Sequence, residues 1–408
     1  TAEPGVRLRG LLALGGTFAL TAGAVELLCP SYRTLRGKNG TRTAYLIGYS
    51  PLQLVVGPII DRYGARLILI LALCCCVLGA FLFGLTGSVW VASTGRFIIG
   101  IGSAFAFVGV LRLAAIWLHP RYFAFFVGLT TALGMIGAMI GDIELSRMVH
   151  HLGWRSSIYL SALFGCLLIP IFLCIVYEPI NKEPIKDLRA SGLWKNTRAV
   201  LANRQVILAG VIGGILYLSL SVFADIWGVG YITALVKESK VEPSEINTMV
   251  YFGWLVGAPF VGWLSEKVGS KKQLVLTGVL LAGLIFTVIL YVHLPSVFVL
   301  MALLFCFGCF SSVEVLCFAI GKESVSSDQI ATALGVINFF VMLGGTLVIP
   351  VVGKLLDVFW SGMMDGSVRV YAESDFHLAL FVVPVLFFLA FFLSFFLTET
   401  GLNRESGQ

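Results

Sequence analysis

The stretch Gly57-Pro-Ile-Ile-Asp61-Arg62-Tyr-Gly64-Ala-Arg66 closes one long apolar segment, turns within a few charged residues and hands over at Leu67 to the next. A second stretch, Gly262-Trp-Leu-Ser-Glu266-Lys267-Val-Gly269-Ser-Lys271, repeats the pattern. The pairs Gly57/Gly262, Asp61/Glu266, Arg62/Lys267, Gly64/Gly269 and Arg66/Lys271 are all 205 positions apart. Glycine on glycine, acid on acid and base on base in one register mark two copies of one unit joined in the middle. Further on, Gly128 and Gly137 answer to Gly335 and Gly344 at a spacing of 207, which two inserted residues account for.

Composition says what surrounds those copies. Of 408 residues, 58% are hydrophobic and 12% charged, and the mean hydropathy is +0.95. A chain of this kind cannot hide its apolar residues in an aqueous fold, so lipid is its solvent. Windows of about 20 apolar residues, enough to cross a hydrocarbon core of roughly 30 Å, recur about a dozen times. The net charge of +6 would suggest nucleic acid in a soluble protein. Here the basic residues lie mainly in short loops between apolar segments, where they act as topology signals and imply no nucleic-acid partner. Nearly all of the nine cysteines sit inside apolar runs. Cys306 and Cys309 form a C-x-x-C without a second pair or a nearby histidine, so they read as small apolar residues, and no metal or cofactor is expected. No cleavable signal is evident, because the first apolar run is long enough to span and further spans follow it.

The expected fold is an all-α polytopic membrane protein of about 12 helices in two pseudo-symmetric bundles of six. Spans are expected near 10–30, 43–60, 67–86, 89–118, 122–147 and 156–177, then near 205–232, 246–264, 273–293, 296–320, 329–353 and 376–398. This gives an amino-terminal bundle (1–177), a linker (178–204), a carboxy-terminal bundle (205–398) and a tail (399–408). The linker carries Lys182, Lys186, Arg189, Lys195, Arg198 and Arg204 against three acids, which marks its side as cytoplasmic. The charged turns, Arg7, Arg9, Arg121 and Lys322 fall on the same side, so both termini are expected inside. Arg33, Arg36, Lys38 and Arg42 fall on the other side, in a loop with the glycosylation sequon Asn39-Gly-Thr.

Gly57-x-x-x-Asp61-Arg62-x-Gly64-x-Arg66 resembles the signature loop between the second and third helices of the major facilitator superfamily. The copy from Gly262 to Lys271 is similar to its counterpart between helices eight and nine. Arg96-x-x-x-Gly100-x-Gly102 resembles the fourth-helix motif of that superfamily, and Gly153-Trp154-Arg155 before the sixth span is also familiar in such chains. The resemblance implies two six-helix repeats, alternating access, and a latch role for Asp61, Arg62 and Arg66. The expected location is the inner (cytoplasmic) membrane of a bacterium, and the expected state a monomer. Gly134, Gly137 and Gly141 resemble the glycine-rich antiporter motif, but Ala138 stands where that motif has proline, so antiport has no support there. Small residues that let helices approach closely explain these glycines equally.

Ionisable residues inside spans each cost roughly 2.5 to 3.5 kcal/mol at a helix centre, so they need a purpose. The chain carries Glu26 in span one, Arg96 and Arg112 in span four, Asp225 in span seven and Glu314 in span ten. Under the resemblance, helices one, four, seven and ten line the central cavity, and all five charges fall on them. On an ideal helix, at about 100° per residue, Arg96 and Arg112 point about 160° apart. The resemblance associates Arg96 with proton coupling, whereas Arg112 suits an anionic substrate group. Glu26 and Asp225, near the outer ends of their spans, can instead snorkel to water. Glu314 with Arg112, or Glu26 with Arg96, are candidate proton-exchanging pairs. Asn338, in mid-span eleven, needs a partner. Tyr45, Tyr49, Trp117, Tyr217, Trp227, Tyr251 and Trp254 are available either to stack on an organic solute or to pack helices, and Ser219, Ser221, Ser311 and Ser312 offer polar contacts.

Substrate-binding or proton-coupling residues are therefore sought at Glu26, Arg96, Arg112, Asp225, Glu314 and Asn338. Gating is expected at Gly57, Asp61, Arg62, Gly64 and Arg66 and at Gly262, Glu266, Lys267, Gly269 and Lys271. The expected activity is secondary active transport of a small polar organic solute, an anionic one being the candidate the two arginines suggest, by proton symport. An uncoupled facilitator or exporter is the alternative within transport, and a non-transporting receptor or sensor the alternative outside it. No catalytic set and no G-x-x-x-x-G-K-[ST] nucleotide loop occur, so an enzyme is not expected.

Overall fold

The computed structural model describes residues 45, 48–49, 51–85, 88–175, 190–236, 241–365 and 368–399. Glu26, Asn39 and the first expected span lie outside these residues. The described chain is helical almost throughout. The first half contains α1 (Gln53–Tyr63), α2 (Ala65–Leu85), α3 (Val89–Ala104), α4 (Ala106–Trp117), α5 (Phe123–Leu152) and α6 (Trp154–Ile175). A further helix, α7 (Ala190–Leu201), precedes the second half. That half contains α8 (Arg204–Leu216), a π-helical segment (Ser219–Trp227), α9 (Gly228–Leu235), α10 (Pro243–Val268), α11 (Lys271–Tyr291), α12 (Val297–Ser311) and α13 (Glu314–Glu323). It ends with α14 (Ile330–Val358), a hairpin of β1 (Met364–Asp365) and β2 (Val368–Arg369), α15 (Glu373–Leu380) and α16 (Val382–Ser394).

Among the described residues, nine helical stretches are long and apolar enough to cross a membrane. They correspond to expected spans three, four, six and seven to twelve. Spans two and five are represented by α1 and α5. The sequence places the ends of these helices by ordinary means. α10 begins with Pro243 in its first turn, near Glu245, and stops at Gly269, whose φ of 71° is left-handed. Gly64, with φ 88°, ends α1 in the matching loop. α11 is capped by Ser270 Oγ, which accepts from Gln273 N. The Glu399 carboxylate adds to this cap by accepting from Ser270 Oγ, Lys271 N and Lys272 N. α2 shows why no polar face is needed: Leu67, Leu71 and Leu78 are exposed while Leu69, Ala72 and Leu73 are buried. An apolar stripe turned outward belongs against lipid tails.

Three of the spans sought as cavity helices are irregular. The fourth is interrupted at Phe105, between α3 and α4. The tenth is interrupted at Ser312 and Val313, between α12 and α13. The seventh passes from α8 through the π-helical segment into α9.

The chain separates into two compact units that exchange short pieces. One comprises Thr1–Phe123, Thr130–Asn203 and Val325–Phe339; the other comprises Ala124–Leu129, Arg204–Ser324 and Phe340–Gln408. The exchanged pieces are the starts of α5 and α14, and glycines explain them. In the first unit a methyl group on Gly57 would overlap the backbone of Ala331 and Thr332. In the second, a methyl group on Gly262 would overlap the backbone of Ala124 and Phe125. The repeat seen in sequence is thus a repeat of contacts. Backbones this close have no room for a side chain, so Gly57→Val and Gly262→Val should each lower stability by about 1 to 3 kcal/mol through overpacking. Thermal unfolding of the purified protein in detergent would show this, and an unchanged transition would contradict the contact.

Candidate functional site

In the first unit the site is built along one face of α1. Gln53, Gly57 and Asp61 recur every four residues, so they share that face. Asp61 is buried and meets the start of α14: Ala331 N donates to its Oδ1 at 3.2 Å, and Thr332 N and Oγ1 donate to its Oδ2 at 2.8 and 2.9 Å. The first amides of a helix lack partners within it and carry its positive end, so a carboxylate is the group they favour. Arg112, on α4, places Nε 3.3 Å from Asp61 Oδ1. The buried acid is therefore neutralised by one cation and held by three donors.

The other charged residues of the loop take separate partners. Arg62 lies against the ring of Tyr63, 5.0 Å from its centroid, and Arg66 Nη2 donates to the Leu173 carbonyl at 2.9 Å. Arg96, on α3, is 2% exposed and has its guanidinium 5.8 Å from the Tyr45 ring and 5.6 Å from the Phe83 ring. Cation–π attraction is strongest where water is excluded, as it is here. The helix carrying Arg96 and Arg112 is interrupted between them, so the angle reckoned for a continuous helix does not apply. Asn338 finds the partner it needs: its Nδ2 donates to Gln53 Oε1 at 2.8 Å.

In the second unit the π-helical segment is held by one face of α10. Asn247 Nδ2 donates to the Ala224 carbonyl at 2.8 Å, Tyr251 Oη donates to Asp225 Oδ1, and Trp254 Nε1 donates to Ser219 Oγ at 3.0 Å. Positions 247, 251 and 254 follow the helical period, so a single stripe supports the whole irregular stretch. Trp254 is fully buried and Tyr217 packs edge-on against it, so this tryptophan is part of the packing rather than a platform for a solute. Asp225 is exposed. Glu314 opens α13 directly after the interruption and is 4% exposed. Among the described residues no hydrogen bond or ion pair reaches its carboxylate, and the buried hydroxyl of Ser311 on the preceding turn is likewise without a partner. Gly213 of α8 faces it, and a methyl group there would lie 3.6 Å from Glu314 Cγ.

The second charged loop is engaged as well. Lys267 Nζ lies 4.0 Å from the centroid of the Trp263 ring, Lys271 Nζ pairs with Glu323 at 3.0 Å, and Glu266 is half-buried. Gln53 and Thr332 were not singled out from sequence. Gln53 had a signal, since it is a polar residue in an apolar span, in helical register with Gly57 and Asp61. Thr332 had none.

The family model for the Major Facilitator Superfamily matches residues 41–239 and again 216–408. The chain belongs to that superfamily. Each match contains one of the two glycine-rich loops, and membership makes the chain a multi-pass membrane protein with a transporter fold. Among superfamily relatives, the membrane sensor protein UhpC of Escherichia coli is 23% identical over 353 residues, covering 78% of this chain and 77% of that protein. The probable galactarate/D-glucarate transporter GudP of the same organism is 21% identical over 363 residues, covering 79% and 78%. The crystal structure of the E. coli fucose:proton symporter superposes with a TM-score of 0.77 at 14% identity, covering 96% of this chain and 98% of that one. That likeness shows the superfamily fold.

Removing one partner of a buried ion pair strands the other charge, at a cost of about 3 to 5 kcal/mol. Asp61→Ala should therefore destabilise by that order, and Arg112→Met combined with it should recover part of the loss. Denaturant or thermal unfolding of the three proteins checks this, and a harmless Asp61→Ala would contradict the geometry.

Proposed function

We propose that the chain is a secondary active transporter that moves a small anionic organic solute by alternating access, in symport with protons. The observation that carries this reading is Glu314. An ionisable group buried at the interruption of a helix, with no cation or donor on it among the described residues, is suited to taking up and releasing a proton. Interrupted helices near mid-span are where transporters of this kind place coupling and substrate groups. Arg112 is committed to Asp61, so Arg96 is the arginine we assign to the solute anion, with Tyr45 beside it. Asp225 and Glu26 stay in the set on their places in the sequence. Asn338 serves the contact between α1 and α14, and the residues from Gly57 to Arg66 and from Gly262 to Lys271 form the gate. The relative named for galactarate and D-glucarate supports an acidic solute, and the fucose symporter's fold is compatible with a proton as driving ion.

We place the linker (178–204) and both termini in the cytoplasm, on the excess of lysine and arginine there, with six-helix bundles over 1–177 and 205–398 and a tail over 399–408. The protein is proposed to act as a monomer in a bacterial inner membrane. A second reading, a receptor that binds without transporting, is favoured by the similarity to a membrane sensor.

The test is uptake of labelled D-glucarate, galactarate and fucose into proteoliposomes with and without an inward proton gradient. Thermal stabilisation by the same solutes is measured in parallel. A solute at about 100 times its dissociation constant stabilises by roughly 2.7 kcal/mol. Gradient-driven uptake is expected, and Glu314→Gln should reduce the gradient-dependent part at least about tenfold, a barrier change of roughly 1.4 kcal/mol, while leaving the unfolding transition in place. Stabilisation without flux would favour the receptor, and gradient-driven uptake that survives Glu314→Gln would overturn the role of that residue.

A further inference from the structure

The Gln53 side chain sits where three helices meet. Its Nε2 donates to the carbonyl of Ala104 at 3.3 Å, and its Oε1 accepts from Asn338 Nδ2 at 2.8 Å. Ala104 is the last residue of α3, so this carbonyl lies at the interruption of the fourth span, where the regular ladder of the helix stops. Two turns along α1, Asp61 holds Arg112 on the far side of the same interruption. The two attachment points are eight residues apart on α1 and eight residues apart on the fourth span. α1 therefore lies across the break as a splint, fastened to α3 by Gln53 and to α4 by Asp61.

Both fastenings are shared with α14. Asn338 engages the Gln53 amide, the Ala331 and Thr332 amides engage the Asp61 carboxylate, and Gly335 packs between them on the backbone of Gln53 and Gly57. A glutamine amide has two donors and an acceptor oxygen, so it can serve both neighbours at once. When α14 is docked, Gln53 is fully buried and its oxygen is satisfied. When α14 departs, that oxygen must turn to water, and the nitrogen is no longer held against Ala104.

We propose that Gln53 is a positioning residue that makes the geometry of the break between α3 and α4, and with it the placement of Arg96 and Arg112, depend on whether α14 is docked on α1. The proposal rests on the transport reading only in taking docking and undocking as steps of turnover.

Hydrogen–deuterium exchange of the full chain in detergent tests it without any solute. The Ala331 and Thr332 amides are bonded to Asp61, so their exchange reports undocking of α14, while residues 104–112 report the break. Gln53→Met leaves Asn338 buried and unpaired. Exchange in 327–336 is expected to rise about tenfold or more, and exchange in 104–112 to rise with it. Gln53→Met with Asn338→Leu replaces both amides by apolar groups. Exchange in 327–336 should then fall back to the native rate or below, while 104–112 stays fast because the Ala104 carbonyl still lacks its donor. A residue that merely fills space would not separate the two segments. Native exchange in the single variant, a double variant that tracks the single one in both segments, or faster exchange in 271–291 as well, would each overturn the proposal. Should Gln53→Met not fold, Asn338→Leu alone approaches the same bond from the other side and is expected to speed 327–336. If the native chain carries no solute while the exchange pattern holds, the transport reading fails and this coupling stands.

Discussion

A helix that begins inside a protein brings amides with no partner and a positive end with no counter-charge. At the start of α14 the Asp61 carboxylate answers both, and Arg112 cancels the charge that the carboxylate brings. The surrounding residues follow from that requirement. The carboxylate reaches the amides only if the backbones of α1 and α14 nearly touch, which makes Gly57 obligatory. Close backbones in turn bury whatever lies one helical turn earlier on the same face. Gln53 is therefore buried, and its amide must be satisfied by Ala104 and Asn338.

The same requirement governs the irregular helices. Backbone groups deprived of their helical partners are tolerated at membrane depth only where protein supplies replacements. Gln53 does so at the break of the fourth span, Asn247 does so for Ala224 in the π-helical segment, and Ser312 Oγ donates to the Cys309 carbonyl at the break of the tenth. Helices such as α2 and α11, which present apolar side chains outward, run without interruption. Irregularity is kept where polar side chains can attend to it.

What could be read in the sequence follows from the range of the forces that leave a trace there. Burial in lipid acts on every residue of a span, so span positions were legible from apolar runs, and the glycine-rich loops gave the repeat. The charges at Arg96, Arg112, Asp225 and Glu314 were legible because each is costly in an apolar segment. Their partners were not. Whether Arg112 faces Glu314 or Asp61 depends on the course of a helix that is interrupted at Phe105, and nothing in the local residues Ala104-Phe105-Ala106 announces an interruption. The π-helical course of Ser219–Trp227 is equally silent, since its support comes from side chains on α10. Trp254 could as well have lined a cavity. Its burial against Ser219 is decided by packing between segments distant in sequence.

The reciprocal glycine contacts bear on ancestry. Gly57 meets the backbone at 331 and 332, and Gly262 meets it at 124 and 125. Translated by the repeat, these are one contact made twice: residue i of one copy against residue j of the other, and j against i. Such exchange is the mark of an isologous association between identical subunits. A half-length ancestor pairing with itself would make both contacts from one gene, needing one glycine and one helix start. Between the copies Asp61 corresponds to Glu266 and Arg62 to Lys267, so the sign of each charge is kept beside the glycine that makes the contact.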